Sequence, residues 1–176
     1  MGIRSVIELG DGRLRSQAEP IHHIDEPQLQ CLIDDLLVTA AAKNGVGIAA
    51  PQLAEGLQLF IVASRPNLRY PRAPHMEPVA MLNPQILSHS EERIKGWEGC
   101  LSVPGQRGLV PRYREIEVIY LDRYGDSHRQ YLQDFVARIF QHEYDHLQGK
   151  LFLDRIEHPD DLLTEAEYQK LVDSDV

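Results

Sequence analysis

The chain has 176 residues, of which 43% are hydrophobic and 26% are charged. This length and composition predict one globular domain, residues 1–176, with enough apolar surface to bury a core of its own. A formal net charge of −9 argues against a general attraction to nucleic acids or anionic membranes, and no apolar run reaches the ~18 residues of a membrane span.

The first clear element is a helix over about 26–43, whose apolar residues recur at helical spacing. Asp25 is a candidate N-cap with Gln28 as its capping-box partner, and Asn44 follows the last turn. Cys31 lies in this helix, where we expect it to be a small buried hydrophobe. With Cys100 as the only other cysteine, no disulfide framework is expected and a reducing compartment is favoured.

Strand-like segments occupy the middle of the chain. The glycine-rich GVGIAAPQ at 45–52 precedes three apolar segments, LQLFIVAS, VAMLNPQILSHS and IKGWEGCLSVPG, and a loop with three prolines at 67–78 separates the first two. The clearest hairpin signal is the alternation of Ile116, Val118 and Tyr120, which is followed by the turn YGD and a polar returning strand.

A second long helix is predicted over about 134–148, closed by Gly149. A short last helix begins near Thr164, with Glu167 completing a capping box. Strands that lie between helices, without β-α-β alternation, predict an α+β fold. We expect a mainly antiparallel β-sheet packed around the second helix, with an N-terminal helix and a short C-terminal helix.

The second helix contains QHEYDHLQGK at 141–150, with His142, Glu143 and His146. Histidines four residues apart lie on one face of a helix, which suits ligation of one tetrahedral metal ion. Glu143 is rotated by about 100° from His142, so it is better placed as a general base on water than as a third ligand. Two histidines placed by chance on a solvated face are disfavoured, because the helix is strongly apolar.

Two imidazoles leave a metal ion short of ligands, and the sequence offers three sources for another. One zinc-protease pattern has a histidine three residues after Gly149, but that position is Phe152, which cannot bind metal. Glu165 or Glu167 from a later helix would indicate a zinc metallopeptidase. Cys100 in EGCLS would bind as a thiolate at roughly 2.3 Å, although a lone cysteine is more often an inert buried thiol. A metal-stabilised binding module without catalysis is a further alternative.

Three segments together resemble the peptide deformylase family: GVGIAAPQ at 45–52, EGCLS at 98–102 and QHEYDHLQG at 141–149. The neighbouring SVPGQRGLVPR and GKLFLDR are also similar to this family. The N-terminal GDGRLR resembles its opening segment, although Gly12 stands where proline is usual. Asp134 stands before the second helix where the family more often has glycine.

The resemblance implies hydrolytic removal of the formyl group from the initiator N-formylmethionine of newly synthesised polypeptides, with release of formate. It makes Glu143 the catalytic acid and base. It places Gln52 and the backbone N–H of Leu101 around the substrate oxygen, where hydrogen-bond donors stabilise an oxyanion. It also implies three metal ligands, Cys100, His142 and His146.

The resemblance further implies an apolar pocket for the methionine side chain beside the metal. Candidate substrate-binding residues are Val46, Gly47, Glu98, Gly99, Ile139 and Arg107. Val46 and Ile139 suit a thioether, whereas Arg138 would do so only with its head turned outward.

Several of these candidates have a second interpretation. Gly45 and Gly47 permit positive φ or close backbone approach, and Gly45 equally suits a plain helix cap. Glu98 is a candidate for orienting a ligand through a hydrogen bond. Arg107 is either a contact for the carbonyl or carboxylate end of the substrate or a surface arginine.

One sulfur and two imidazole ligands fit Fe²⁺, Zn²⁺, Ni²⁺ or Co²⁺, and the resemblance implies one Fe²⁺ per chain as the working ion. It implies nascent N-formylmethionyl peptides near the ribosome exit as partners of a monomeric protein in the bacterial cytoplasm. Residues of about 157–176 form an acidic extension that lacks the positive charge with which some family members are thought to dock on the ribosome. We expect no direct binding to nucleic acid or membranes.

Overall fold

The computed structural model describes residues 2–67 and 70–174. Its helices are α1 (Pro27–Ala42), α2 (Asp134–Leu147) and α3 (Glu165–Ser174). Its strands are β1 (Gly47–Ala49), β2 (Leu59–Val62), β3 (Val79–His89), β4 (Arg93–Cys100), β5 (Val103–Tyr113), β6 (Glu115–Leu121), β7 (Ser127–Gln133) and β8 (Leu162–Thr164). Within the described ranges, no helix is both long enough and apolar enough to cross a membrane.

The strands form two antiparallel sheets. One has five strands in the order β1-β2-β3-β6-β7, and the other has three in the order β4-β5-β8. Helix α2 contacts β1 and β2 of the larger sheet and β5 of the smaller one, and α1 packs on β1 and β2. The predicted α+β fold, with mainly antiparallel strands around a central helix, is confirmed.

Strand β2 is buried on both faces and separates two apolar cores. Leu59 and Ile61 pack in the core that contains α1, whereas Phe60 and Val62 pack in the core that contains α2. This division follows from the two-residue period of a strand. The ring of Phe60 packs edge to face on Phe140 of α2, with ring centroids 5.1 Å apart, and this contact holds α2 against the larger sheet.

The segment IKGWEGCLSVPG folds as two strands, although its sequence reads as one strand-like piece. Cys100 pairs with Val103 across a two-residue turn, so β4 ends at Cys100. The register between β4 and β5 shifts between Glu98 and Cys100. The turn leaves the Cys100 side chain at the end of a strand, where it meets α2.

The predicted bounds of α1 and α2 agree with the structure to within one residue, but two expectations about α1 are wrong. The helix begins at Pro27, so its N-cap is Glu26 and not Asp25, and Glu26 makes no side-chain capping bond. Cys31 is exposed, since it lies outside the buried apolar stripe of the helix. The capping box of α3 is confirmed by the bonds between Thr164 and Glu167.

Candidate metal centre and active site

Three side chains that can bind metal converge where α2 passes the end of β4. Cys100 ends β4, and His142 and His146 project from successive turns of α2. Their ligand atoms lie within 4.8 Å of one another, and Cys100 Sγ is 3.4 Å from His146 Nε2. All three side chains are buried. The fold therefore brings together, inside the protein, the three residues implied as ligands.

The orientation of His142 is set by Glu98, two residues before Cys100 on β4. Glu98 Oε2 accepts a hydrogen bond from His142 Nδ1 at 2.9 Å, which leaves Nε2 available to a metal. Burial opposes ionisation of Glu98, but the charge of Arg112 and the hydrogen bonds from His142 and Arg112 hold the pKa of this carboxyl well below its usual range. Glu98 is thus a buried carboxylate that faces a ligand.

Two arginines and an aspartate extend this charged network behind the ligands. Arg112 donates two hydrogen bonds to Glu98, at 2.9 and 3.0 Å, and one to Asp145 at 2.6 Å. Arg138 donates to Glu98 at 2.9 Å and to carbonyl oxygens of β4 and β5. Arg155 pairs with Asp145 from the other side. Each charge of this network therefore has a partner. The guanidinium of Arg138 turns inward to Glu98 and the backbone, although Arg138 also lines the pocket in front of the cluster.

Cys100 lies in surroundings that favour its thiolate. The backbone N–H of Ser102 lies 3.4 Å from Sγ and the Gln52 amide nitrogen lies 3.5 Å from it. Burial opposes ionisation, but the charges of and hydrogen bonds from His146 and His142 outweigh burial and lower the pKa of Cys100 to about 5. The thiolate is the form of cysteine that binds metal.

Gln52 and Leu101 lie beside the cluster, where the predicted donors to the substrate oxygen belong. Gln52 Oε1 accepts a hydrogen bond from the backbone of Ala49 at 2.8 Å, which directs Nε2 toward Cys100 and Ser102. Leu101 follows Cys100 in the turn, and both Gln52 and Leu101 line the pocket in front of the cluster. Two donors of different kinds are therefore available at this edge of the site.

Glu143 is buried on α2 and touches the glycine loop. A Cβ on Gly47 would clash with the carboxyl group of Glu143, so close approach and not positive φ requires this glycine. The left-handed residue nearby is Asn44, at φ 53°. Among the described residues, Glu143 Oε2 has no hydrogen-bond partner. Burial raises the pKa of Glu143 to about 7, which suits proton transfer near neutral pH.

The donor set fits a divalent metal ion. Tetrahedral ligation with Zn–S of ~2.3 Å and Zn–N of ~2.1 Å separates sulfur and nitrogen by roughly 3.5 Å. The observed separation between Cys100 Sγ and His146 Nε2 is 3.4 Å. One sulfur and two imidazoles favour Zn²⁺, Fe²⁺, Co²⁺ or Ni²⁺ over Mg²⁺ or Ca²⁺, which prefer oxygen ligands.

A pocket opens in front of the cluster, and its lining includes five of the six predicted substrate residues: Val46, Gly47, Glu98, Gly99 and Ile139. Tyr70, Trp97 and Phe135 also line it, and sequence reasoning missed them. Of these three residues, only Trp97 had a sequence feature that could have indicated a place in the pocket: it is the only tryptophan of the chain and directly precedes EGCLS. The mostly apolar lining is typical of a pocket for a small side chain.

Arg107 is the predicted substrate residue that does not line this pocket. It is 1% exposed, so the interpretation as a surface arginine is wrong. Its guanidinium donates to both carboxylate oxygens of Glu165, at 2.9 and 3.1 Å. Glu167 accepts hydrogen bonds from Thr164 at the start of α3. Both glutamates of the metallopeptidase alternative are therefore bonded elsewhere, away from the histidine pair.

Comparison with known proteins places this site in a family. A model of the polypeptide deformylase family matches residues 3–161. Peptide deformylase 2 of a Nostoc species is 60% identical over 167 residues, which cover 95% of this chain and 93% of the relative. Peptide deformylase 1 of Bordetella pertussis is 47% identical over 154 residues, covering 88% of each chain.

Solved structures agree with this assignment. The class I type b peptide deformylase of Acinetobacter baumannii, crystallised with Met-Ala-Ser bound, matches with a TM-score of 0.86 and 46% identity, covering 88% of this chain and 98% of that one. The peptide deformylase of Thermotoga maritima matches with a TM-score of 0.79 and 34% identity, covering 89% and 99%. On its sequence, its fold and its relatives, this chain belongs to the peptide deformylase family.

Proposed function

We propose that this chain hydrolyses the formamide bond of N-formylmethionyl peptides at a divalent metal held by Cys100, His142 and His146. Family membership supplies the reaction, which is metal-dependent removal of the formyl group. One observation carries the assignment of residues: a buried thiol and two imidazoles lie within ligand distance of one another, beside a buried carboxyl. We propose that residues 1–176 form one metallohydrolase domain around this cluster.

When bound, the metal supplies Lewis-acid chemistry, polarising the formyl oxygen and acidifying water. Cys100, His142 and His146 would hold it, and three protein ligands leave room for substrate and water. Glu98 bonds to His142 Nδ1 and keeps its other nitrogen directed at the cluster. His142 is thus oriented by a carboxylate that Arg112 and Arg138 hold in turn.

Glu143 moves the proton in this proposal. Its Oε2, which has no hydrogen-bond partner among the described residues, accepts a proton from the attacking water. The protonated carboxyl then delivers that proton to the departing methionine nitrogen, so formate and a free amine result. A carboxyl whose pKa burial raises to about 7 is suited to both steps.

Gln52 and Leu101 stabilise the charge that develops on the formyl oxygen. The amide N–H group of Gln52 and the backbone N–H of Leu101 are fixed donors beside Cys100, and fixed donors need no reorganisation as charge develops. Loss of one such donor typically raises the barrier by ~3 kcal/mol. The methionine side chain lies in the pocket lined by Val46 and Ile139, with Gly47 and Gly99 admitting the peptide backbone.

We propose Fe²⁺ as the working metal, with Zn²⁺, Ni²⁺ or Co²⁺ as possible replacements. Fe²⁺ binds more weakly than nickel or zinc to the same ligands, so it is lost or replaced more easily. Metal analysis and activity assays after anaerobic and aerobic purification test this. We expect more iron and higher activity in the anaerobic sample; identical metal content and activity in both would contradict iron.

We propose that the protein works as a monomer in the bacterial cytoplasm and meets its substrates as they leave the ribosome. The bacterial relatives support this setting. Any docking on the ribosome would need a surface other than the acidic segment of about 157–176.

The most direct test of the function is release of formate from formyl-Met-Ala-Ser by the purified protein. We expect one formate per free Met-Ala-Ser and no cleavage of internal peptide bonds. Internal cleavage without formate would contradict the proposed function and favour a peptidase.

A further inference from the structure

Arg107 is a buried cation that the proposed chemistry does not use. It lies on β5, is 1% exposed, and its guanidinium packs behind Gly99, the residue before Cys100. A Cβ at Gly99 would lie 3.0 Å from Arg107 Nη1, so strand and guanidinium are in close contact. A buried guanidinium without an anion is strongly destabilising, which makes its partners important.

Helix α3 supplies the partners on one side of Arg107. Glu165 accepts two hydrogen bonds from the guanidinium, and its own side chain is 47% exposed. The ring of Tyr168, one turn later, lies 5.0 Å from the guanidinium carbon, which suits a cation–π contact. The C-terminal helix is therefore attached to the interior of the protein through one arginine.

The pocket wall supplies the partners on the other side. Arg107 Nη1 donates to the Tyr70 hydroxyl at 3.3 Å, and the backbone N–H of Gly99 donates to the same hydroxyl at 3.2 Å. The ring centroids of Trp97 and Tyr168 lie 5.3 Å apart. Tyr70, Trp97 and Gly99 all line the substrate pocket. Arg107 thus joins α3 to Tyr70, from a loop, and to Gly99, from β4, while Tyr168 of α3 contacts Trp97 directly.

We propose that Glu165 and Tyr168 are positioning residues for the substrate pocket: through Arg107 they hold Tyr70 and Gly99, and through the Tyr168 ring they hold Trp97, in the arrangement that receives the methionine side chain. Neither residue touches the metal ligands in this account, so the effect falls on binding and not on proton transfer. The inference rests on the proposed function, because it takes this pocket to be the methionine site.

Removing the Glu165 charge leaves the buried guanidinium without its anion. A shift of Arg107 toward water then lowers the free energy of its charge. The Tyr70 hydroxyl and Gly99 of β4 would lose their contacts with the guanidinium. A looser wall makes less contact with the substrate in ground state and transition state alike. Loss of such uniform binding raises KM with little change in kcat.

The test compares Glu165→Gln with Glu167→Gln, two isosteric changes in the first turn of α3. Glutamine at position 167 still serves a capping box, so the helix start is kept and only the contact with Arg107 differs between the variants. KM and kcat for formyl-Met-Ala-Ser are measured for each metal-loaded protein. The Kd of the product Met-Ala-Ser follows from the fluorescence of Trp97, the only tryptophan of the chain.

For Glu165→Gln we expect KM and the product Kd to rise about tenfold, the scale of a lost pocket contact. We expect kcat to stay within about twofold of the wild-type value. The emission of Trp97 should shift even before peptide is added, because the residues around it have moved. Glu167→Gln should match the wild type in all of these. Tyr168→Leu, which removes the ring under the guanidinium, should change KM and Kd in the same direction as Glu165→Gln.

Wild-type KM, Kd and Trp97 emission in both Glu165→Gln and Tyr168→Leu would overturn the proposal. Equal changes in Glu165→Gln and Glu167→Gln would also overturn it, because the effect would then belong to the helix and not to the pair with Arg107. A wild-type protein that releases no formate would instead refute the proposed function. The two failures are therefore distinguishable.

Discussion

Helices α1 and α2 lie against the same sheet, yet they are built in opposite ways. The buried residues of α1 are apolar apart from Thr39. In α2, six of the ten buried residues are polar or charged: Arg138, Gln141, His142, Glu143, Asp145 and His146. α1 gains stability from burying apolar surface. α2 is buried with groups that are costly to bury, and most of them are satisfied by partners on other elements.

This difference separates residues that stabilise the fold from residues that serve the reaction. Around α2, Glu98 and Arg112 come from β4 and β5, so the site depends on strands distant in sequence. A change in α1 should therefore lower stability and spare the chemistry. A change at the proposed proton-transfer residue of α2, Glu143, should do the reverse.

Glu143→Ala should lower kcat for formate release by about 10³-fold, within the range of a lost general acid and base. Metal content and thermal stability should stay close to those of the wild type, because Glu143 binds neither the metal nor the charged network. Steady-state kinetics with metal analysis checks this. Full turnover in the variant would refute the proton-transfer role.

Leu36→Ala should lower the free energy of unfolding by about 2–5 kcal/mol, the cost of a large cavity in a core. Leu36 is fully buried in the core that contains α1. Urea unfolding measures the loss, and kcat per active site should remain within about twofold because the chemistry lies on α2. A large fall in kcat of the folded variant would show that the two helices are not separable.

Glu98→Gln should weaken metal binding by about 10–100-fold, as expected for the partner of a ligating histidine. Glutamine can still accept from His142, but it removes the anion that faces Arg138 and one of the two anions that face Arg112. The matched control is Glu92→Gln, because Glu92 is an exposed residue just before β4 whose pair with Arg114 is also exposed. Competition with a chelator measures affinity, and equal affinities in the two variants would contradict the orienting role.

The smallest effect is expected at Asp134, the first residue of α2. Asp134 has φ +50°, a conformation that glycine adopts without strain. Asp134→Gly and Asp134→Ala both lose the exposed pair with Arg114, so their difference isolates the backbone. The glycine variant should be more stable than the alanine variant by about 1 kcal/mol in thermal or urea unfolding. A more stable alanine variant would exclude strain at this turn.

Local signals allowed much of the fold to be predicted from the sequence. The apolar stripe of α1, the β6–β7 hairpin and the Thr164–Glu167 box each depend on residues in one short stretch of the chain, and all three are confirmed. The three-residue β1 was missed, because so short a strand has no periodicity to recognise. Helix periodicity also failed to show that Cys31 is exposed.

The site was predictable only where a motif carried it. The spacing of His142 and His146 gave two ligands, but residue chemistry alone left Cys100 level with two glutamates until the family resemblance was considered. Arg112 and Asp145 had no signal, since their partners lie 10 or more residues away. Neither of the two interpretations of Arg107, substrate contact or surface residue, foresaw its buried ion pair for the same reason: its anion, Glu165, is 58 residues further along the chain.

The two cysteines of the chain allow the most direct test, because Cys100 is buried and faces α2 whereas Cys31 is exposed on α1. Metal content and formate release are measured for Cys100→Ser and Cys31→Ser after identical purification. We expect Cys100→Ser to lose the metal or the activity and Cys31→Ser to match the wild type. A Cys100→Ser protein that keeps both its metal and its rate of formate release would contradict the thiolate ligand, and with it the proposed centre.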